Sequence, residues 1–268
     1  MLTDFLIGHG FNFFAGGWTQ FAAAFAVSFM IMIVFGRGFI RLMRKIQGNG
    51  QPISENVPVE HRKKAGTPSM GGILMLIAIF VASLLFMPMN NMTGWIALAS
   101  LFMFGVIGFC DDYKKISSQS TKSSNGLSPS LRLIIEAICV VILVYFINKT
   151  MPGYVPKSSI VLGSSIELPL ATWNLGYLFG MPITCGFLYY IFGYFVICGS
   201  ANATNITDGL DGMLAKLYTP VLIVLAVALY GATRTGFMDA VIFLPETSAL
   251  YGVLGAVFGA VLGFLWFN

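Results

Sequence analysis

The 268 residues include only 10% charged side chains against 57% hydrophobic ones, with a mean hydropathy of +0.82 and a net charge of +4, whereas a soluble domain averages about 25% charged residues. These values exclude a soluble globular domain and point to an integral membrane protein, with no nucleic-acid partner expected. The apolar runs are long and continuous, without the ten-residue apolar/polar alternation of barrel strands, so the expected fold is all-α: one polytopic bundle over residues 1–268.

In chain order, MLTDFLIGHGFNFFAGGW lacks the basic opening of a signal peptide and reads as an external, interfacial lead-in. A first span covers Gly10 to Gly36. The basic, Gly/Pro-rich turn HRKKAGTPSMGG (61–72) then precedes 46 uncharged residues between Lys64 and Asp111. As helix those would extend roughly 69 Å, about two crossings of a 30 Å core, with a turn at Pro88 to Asn91. DDYKK (111–115) closes this pair, and Ser117 to Ser130 is a polar loop.

The next span, Leu133 to Ile147, is interrupted by Glu136. Arg132 lies four residues earlier on the same helix face, so an ion pair is expected there. Met151 to Pro169 reads as an external segment able to form a small hairpin, followed by spans at Leu168 to Thr207, Leu217 to Thr233 and Thr247 to Asn268. The total is about seven spans. The four cysteines lie in or at the ends of apolar runs without metal-ligand spacing and read as reduced packing residues.

Orientation follows from the basic residues, which collect in cytoplasmic loops. With the N-terminus outside, twelve of the fifteen Lys and Arg residues face the cytosol, leaving Lys149, Lys157 and Arg234 outside. That places HRKKAGTPSMGG, DDYKK and NATNITDGLDG (202–212) on one cytosolic surface.

In DDYKK, two adjacent carboxylates near the negative end of a helix dipole need a compensating cation, which Lys114 and Lys115 could supply. Paired carboxylates can equally bind Mg²⁺. Asp208 and Asp211 could cap a helix beginning near Gly209. A capping role leaves Asn202, Asn205, Gly209 and Gly212 unexplained, and glycines let backbone approach a ligand. Lys64 with the Gly66 to Gly72 backbone could clamp a phosphate, although the turn lacks the Walker arrangement. Acids at two helix ends, inner cations and a glycine-rich turn suit phosphoryl transfer between a soluble nucleotide and a membrane lipid. The Asp111, Asp112 and Asp208 carboxylates are then expected within roughly 10 Å of one another, the span of one metal–diphosphate centre.

KAGTPSMGG, GVIGFCDDYKK, NATNITDGLDG and the terminal LGFLWFN resemble, in order and spacing, the motifs of the phospho-N-acetylmuramoyl-pentapeptide transferase family, over roughly residues 20 to 268. The resemblance implies a Mg²⁺-dependent sugar-1-phosphate transferase of the bacterial cytoplasmic membrane. Its substrates would be undecaprenyl phosphate and UDP-N-acetylmuramoyl-pentapeptide, and a homodimer is an open arrangement. By matching position, Asp111 looks like the base or lipid-phosphate-handling acid and Asp112 its partner. Asp208 resembles the third acid, with Asp112 and Asp208 as metal ligands. Lys64, Asp211 and Asn268 fall where the family contacts the nucleotide, and Thr67, Ser69, Asn202 and Asn205 are further substrate-binding candidates. The resemblance leaves direct attack and an aspartyl intermediate both open.

Some positions depart from the family. Ser69 replaces the usual Thr but keeps a hydroxyl, and MLAKLYTP after GLDG puts Lys216 at the start of a span. The family also continues past the position of Asn268 into a loop with another Mg²⁺-associated Asp, three more spans and a His-rich loop. These residues alone are therefore expected to insert and bind nucleotide weakly without turnover. Rival readings are a non-catalytic lipid- or nucleotide-binding fragment, a related transferase using another UDP-sugar, and a transporter. A transporter would place its polar residues near mid-membrane between repeated halves.

Overall fold

A computed structural model describes residues 2–47, 70–117, 126–150, 166–168, 171–173, 177–178, 181–182, 186–207, 212–233 and 248–267. Its helices are α1 (Leu2–Gly8), a 3-10 turn (Asn12–Ala15), α2 (Gly17–Gln47), α3 (Gly71–Phe86), α4 (Met92–Ser117), α5 (Pro129–Thr150), α6 (Gly186–Thr207), α7 (Met213–Thr233) and α8 (Leu250–Leu265). Helices α2 to α8 fall on the seven expected spans. Four of them, α2, α4, α5 over Pro129–Ile147 and α7 over Met213–Gly231, are long and apolar enough to cross a membrane. Helices α3 and α8 are apolar but have 16 residues each, about 24 Å against a core of roughly 30 Å.

The turn at Pro88 to Asn91 separates α3 from α4 as its composition predicts. Asn91 caps α4, its Oδ1 accepting the Thr93 N–H at 2.9 Å, and Trp95 Nε1 donates to the Met89 carbonyl at 3.0 Å. At the start of α5, Ser128 Oγ accepts from the Leu131 N–H at 3.4 Å, with Pro129 at the first helical position.

Two boundaries differ from expectation. The hairpin is not confined to Met151–Pro169: Ile166–Leu168 pairs antiparallel with Ala171–Trp173, and Tyr177–Leu178 with Met181–Pro182. The sixth helix therefore begins at Gly186, not near Leu168. Continuous apolarity hid this, since such a run is equally hydrophobic as strand or helix and only its Pro and Gly punctuation distinguishes the two. The seventh helix begins at Met213, not near Gly209. Gly212 precedes it at φ +61°, a left-handed conformation suited to glycine, while its carbonyl accepts the Lys216 N–H at 2.9 Å.

The densest packing joins α2 to α8. On α2, Gln20, Ala24, Ser28, Met32 and Gly36 recur every fourth residue and are all buried. They meet the glycines of α8. A Cβ at Gly255 would strike the Phe21 carbonyl, one at Gly259 the Ser28 hydroxyl and Phe25 carbonyl, and one at Gly263 the Met32 side chain. Lipid tails are as apolar as leucine, so helices associate in a bilayer by such close backbone approach and by hydrogen bonds. The Ser28 hydroxyl supplies one, donating to the Ala256 carbonyl at 2.7 Å. Around this seam Leu74, Ala78, Ala82 and Phe86 of α3 complete the largest core, and α7 adds Ala215 and Leu222 against Val261. A second group joins α4, α5 and α6, with Val140, Val144 and Cys198 as its buried centre.

Gly259→Leu should lower stability by about 1–3 kcal/mol or more, the cost of overpacking a filled interface. Gly38→Leu, at a glycine with open space around its Cβ direction, should be near neutral. Thermal unfolding in detergent checks the pair.

Candidate active site

Helices α2, α4, α6 and α8 finish at the end of the bundle where α3, α5 and α7 begin. Contacts of Gly36 with Phe267 and of Gly71 with Phe264 fix this alignment in the first group. Thr204 Oγ1 and Tyr218 OH, 2.8 Å apart, tie α6 to α7 there. The sequence placed its acidic and basic motifs at these same helix ends.

Asp111 sits six residues before the end of α4, so both aspartates lie within the helix and not at its terminus. Its side chain is buried and fully engaged. Oδ2 pairs with Lys115 Nζ at 2.6 Å, and Oδ1 accepts the Leu127 N–H at 2.8 Å. Lys115 thereby supplies the expected compensating cation. The Leu127 bond was not visible in the sequence. It draws the polypeptide entering α5 onto α4, and Gly126 is required beside it because a Cβ there would collide with Asp111 Oδ1.

Asp112 Oδ1 is 3.7 Å from Lys115 Nζ, and its side chain is 33% exposed against 11% for Asp111, so of the two carboxylates it is the more accessible to solvent and to a cation. Paired hard oxygen donors suit Mg²⁺. Among the described residues no three His, Cys, Asp or Glu side chains cluster as a metal site. Asp208, the expected third acid, lies outside the described residues, as do Lys64, Thr67, Ser69, Asp211 and Asn268.

Arg132 and Glu136 form the expected i,i+4 ion pair, Nε to Oε1 at 2.8 Å, with Glu136 completely buried. The other carboxylate oxygen accepts Asn202 Nδ2 at 2.6 Å, across 66 residues of sequence. Asn202 Nδ2 also reaches the Cys198 carbonyl, at 2.9 Å. Asn202 thus faces the α5–α6 interface, whereas Asn205, three residues later, is exposed near the end of α6. Arg132 in turn lies within electrostatic reach of Asp111. The DDYKK and NATNIT segments are therefore joined through Leu127, Arg132 and Glu136.

Met70 caps α3 at φ +72°, a left-handed backbone uncommon outside glycine. Such geometry in a polar turn marks positions worth functional attention. A cavity of about 310 Å³ lined by Gly17, Trp18, Gln20, Thr233 and Tyr251 lies at the opposite end of the bundle, beside the start of α2 and the end of α7. It shares no residue with the carboxylate cluster.

Residues 92–268 match the model of glycosyl transferase family 4, and residues 64–76 match signature 1 of phospho-N-acetylmuramoyl-pentapeptide-transferase. That signature spans Lys64, Thr67, Ser69 and the left-handed Met70. A phospho-N-acetylmuramoyl-pentapeptide-transferase of Ruegeria pomeroyi is 38% identical over 263 residues, covering 96% of this chain and 66% of that protein. One of Ruegeria sp. strain TM1040 is 34% identical over 269 residues, covering 97% of this chain and 68% of that protein. The chain thus spans about two thirds of the length of these relatives.

Gly126→Ala should displace Leu127 from Asp111. Hydrogen bonds to charged groups are worth about 1.5–3 kcal/mol, so protection of the Leu127 amide should fall by at least about tenfold in hydrogen–deuterium exchange. Gly108→Ala, at a glycine with open space around it, should leave that protection unchanged.

Proposed function

The chain belongs to glycosyl transferase family 4 and carries the phospho-N-acetylmuramoyl-pentapeptide-transferase signature, and on that footing we propose that it transfers phospho-N-acetylmuramoyl-pentapeptide from UDP to undecaprenyl phosphate, yielding lipid I and UMP. A phosphate oxygen of the lipid attacks the β-phosphorus. The new P–O bond forms as the bond to the bridging oxygen breaks, and UMP leaves with that electron pair.

The observation that carries this reading is the carboxylate pair of α4, with Asp111 immobilised by Lys115 and Leu127 while Asp112 remains accessible. Asp112 and Asp208 would hold Mg²⁺, which when bound neutralises charge on the diphosphate. Lys64 supplies a cation for the nucleotide phosphates, with Thr67 and Ser69 as hydroxyl donors in the same motif. Asn205, Asp211 and Asn268 orient the nucleotide. The family match spans Asn205 to Asn268, and the signature begins at Lys64. Asn202 contributes from behind, through its bond to Glu136.

The reacting end faces the cytosol, where the nucleotide sugar is soluble, in a bacterial cytoplasmic membrane. The twelve basic residues on that side support this orientation. A transporter is disfavoured because the polar residues gather at one end of the helices and not at their middles.

Asp208→Asn keeps the shape of Asp208 but removes its charge. Assayed in membranes expressing the complete reading frame, transfer of radiolabelled sugar phosphate to lipid should fall at least about a hundredfold, as should that of Asp112→Asn, an order typical of losing one major electrostatic contributor. Near-normal transfer by Asp208→Asn would remove that residue from the proposed centre.

A further inference from the structure

Glu136 is a carboxylate completely buried between α5 and α6, and both of its oxygens are occupied. Arg132 approaches one at 2.8 Å and Asn202 the other at 2.6 Å. This is more than helix association needs, since Val140 and Val144 already pack against α6. Its position gives it a further consequence. Arg132 lies one helical turn beyond Ser128, whose carbonyl accepts its N–H at 3.0 Å, and the neighbouring Leu127 is the residue bonded to Asp111. Arg132 is 18% exposed, and only its Nε is bound to Glu136. A guanidinium carries five donors and readily forks onto a carboxylate.

We propose that Glu136 is a positioning residue that restrains Arg132, holding its guanidinium against α6 and away from the Asp111–Asp112 pair so that Asp112 can accept a divalent cation. This inference rests on reading that pair as metal-holding. Pairing with the Glu136 carboxylate offsets part of the positive charge that Arg132 presents to the aspartates. Without the carboxylate, an uncompensated cation faces Asp111, competing with the metal by charge and, if it swings, by direct contact. If Glu136 served only to join α5 to α6, restoring neutrality would not restore metal binding.

The test is Mn²⁺ binding by the purified chain, followed by the electron paramagnetic resonance signal of free Mn²⁺. Glu136→Gln, nearly isosteric, should weaken Mn²⁺ at least about tenfold; one unit charge at roughly 10 Å and an effective dielectric near 20 acts on a divalent ion by about a few hundredfold before salt screening reduces it. The double variant Arg132→Met/Glu136→Gln leaves no buried charge unpaired and should return affinity to within about twofold of the parent. Asp112→Asn should abolish the binding. Loss with Asp112→Asn but unchanged affinity with Glu136→Gln would overturn the restraint while upholding the metal site. Equal weakening in the single and double Glu136 variants would also overturn it, leaving a purely structural link. Unchanged Mn²⁺ binding in Asp112→Asn would instead overturn the reading of the carboxylate pair itself, and the restraint with it.

Discussion

Close backbone approach between α2 and α8 governs where every other helix of the first group can stand. In hydrocarbon there is no solvent-driven force pressing leucines together, so contact depends on shape and on the few polar groups placed at the seam. Glycines at 255, 259 and 263 remove the Cβ atoms that would hold the helices apart. The Ser28 hydroxyl can then reach the Ala256 carbonyl at 2.7 Å. With those two helices in register, α3 and α7 pack onto the flanks. Phe264 and Phe267 also come to lie beside Gly71 and Gly36, aligning the helix ends from which the polar turns depart.

The second group solves the same problem differently. Gly193 lets α6 approach Val144, but the larger part of the polar linkage between α5 and α6 is the Arg132–Glu136–Asn202 network. A buried ion pair adds little stability compared with apolar residues of equal volume, because desolvating both charges offsets their attraction. What it does supply is direction. Two donors from different helices converging on one carboxylate allow few rotations of α5 against α6, whereas a purely aliphatic interface would tolerate several. The group that carries the aspartates is thus oriented by hydrogen bonds, and the group beside it by steric fit.

Interactions within one helix turn were legible in the sequence. The Arg132–Glu136 pair and the compensation of the aspartates by a following lysine are both local, set by 3.6 residues per turn, and both appear where expected. The apolar helices were legible too, since apolar length is a direct consequence of bilayer thickness, and four of the described ones are long enough to cross a membrane. Partners distant in the chain were not. Nothing in the spacing of Asp111 and Leu127, 16 residues apart, or of Glu136 and Asn202, 66 apart, announces a bond. Asn202 consequently read as one of a row of polar residues facing substrate, when its amide is directed to a neighbouring helix. A hairpin before α6 was expected, but its extension past Pro169 escaped notice for a different reason. Hydrophobicity measures whether a segment avoids water and says little about whether it coils or extends.

The bond from the Leu127 N–H to Asp111 has a further consequence for which residues position 111 can tolerate. One oxygen organises the entry to α5 while the other meets an ammonium group one turn along α4. Asn could accept the N–H but would present Lys115 with a neutral or donor group. Glu would carry the charge on a stem one methylene longer, displacing the oxygen from a gap that Gly126 already keeps at its minimum. Ser could reach neither partner with a charge. Two demands of different kinds, one geometric and one electrostatic, therefore fall on a single short carboxylate. Architecture alone restricts this site to aspartate, before any requirement of the reaction is added.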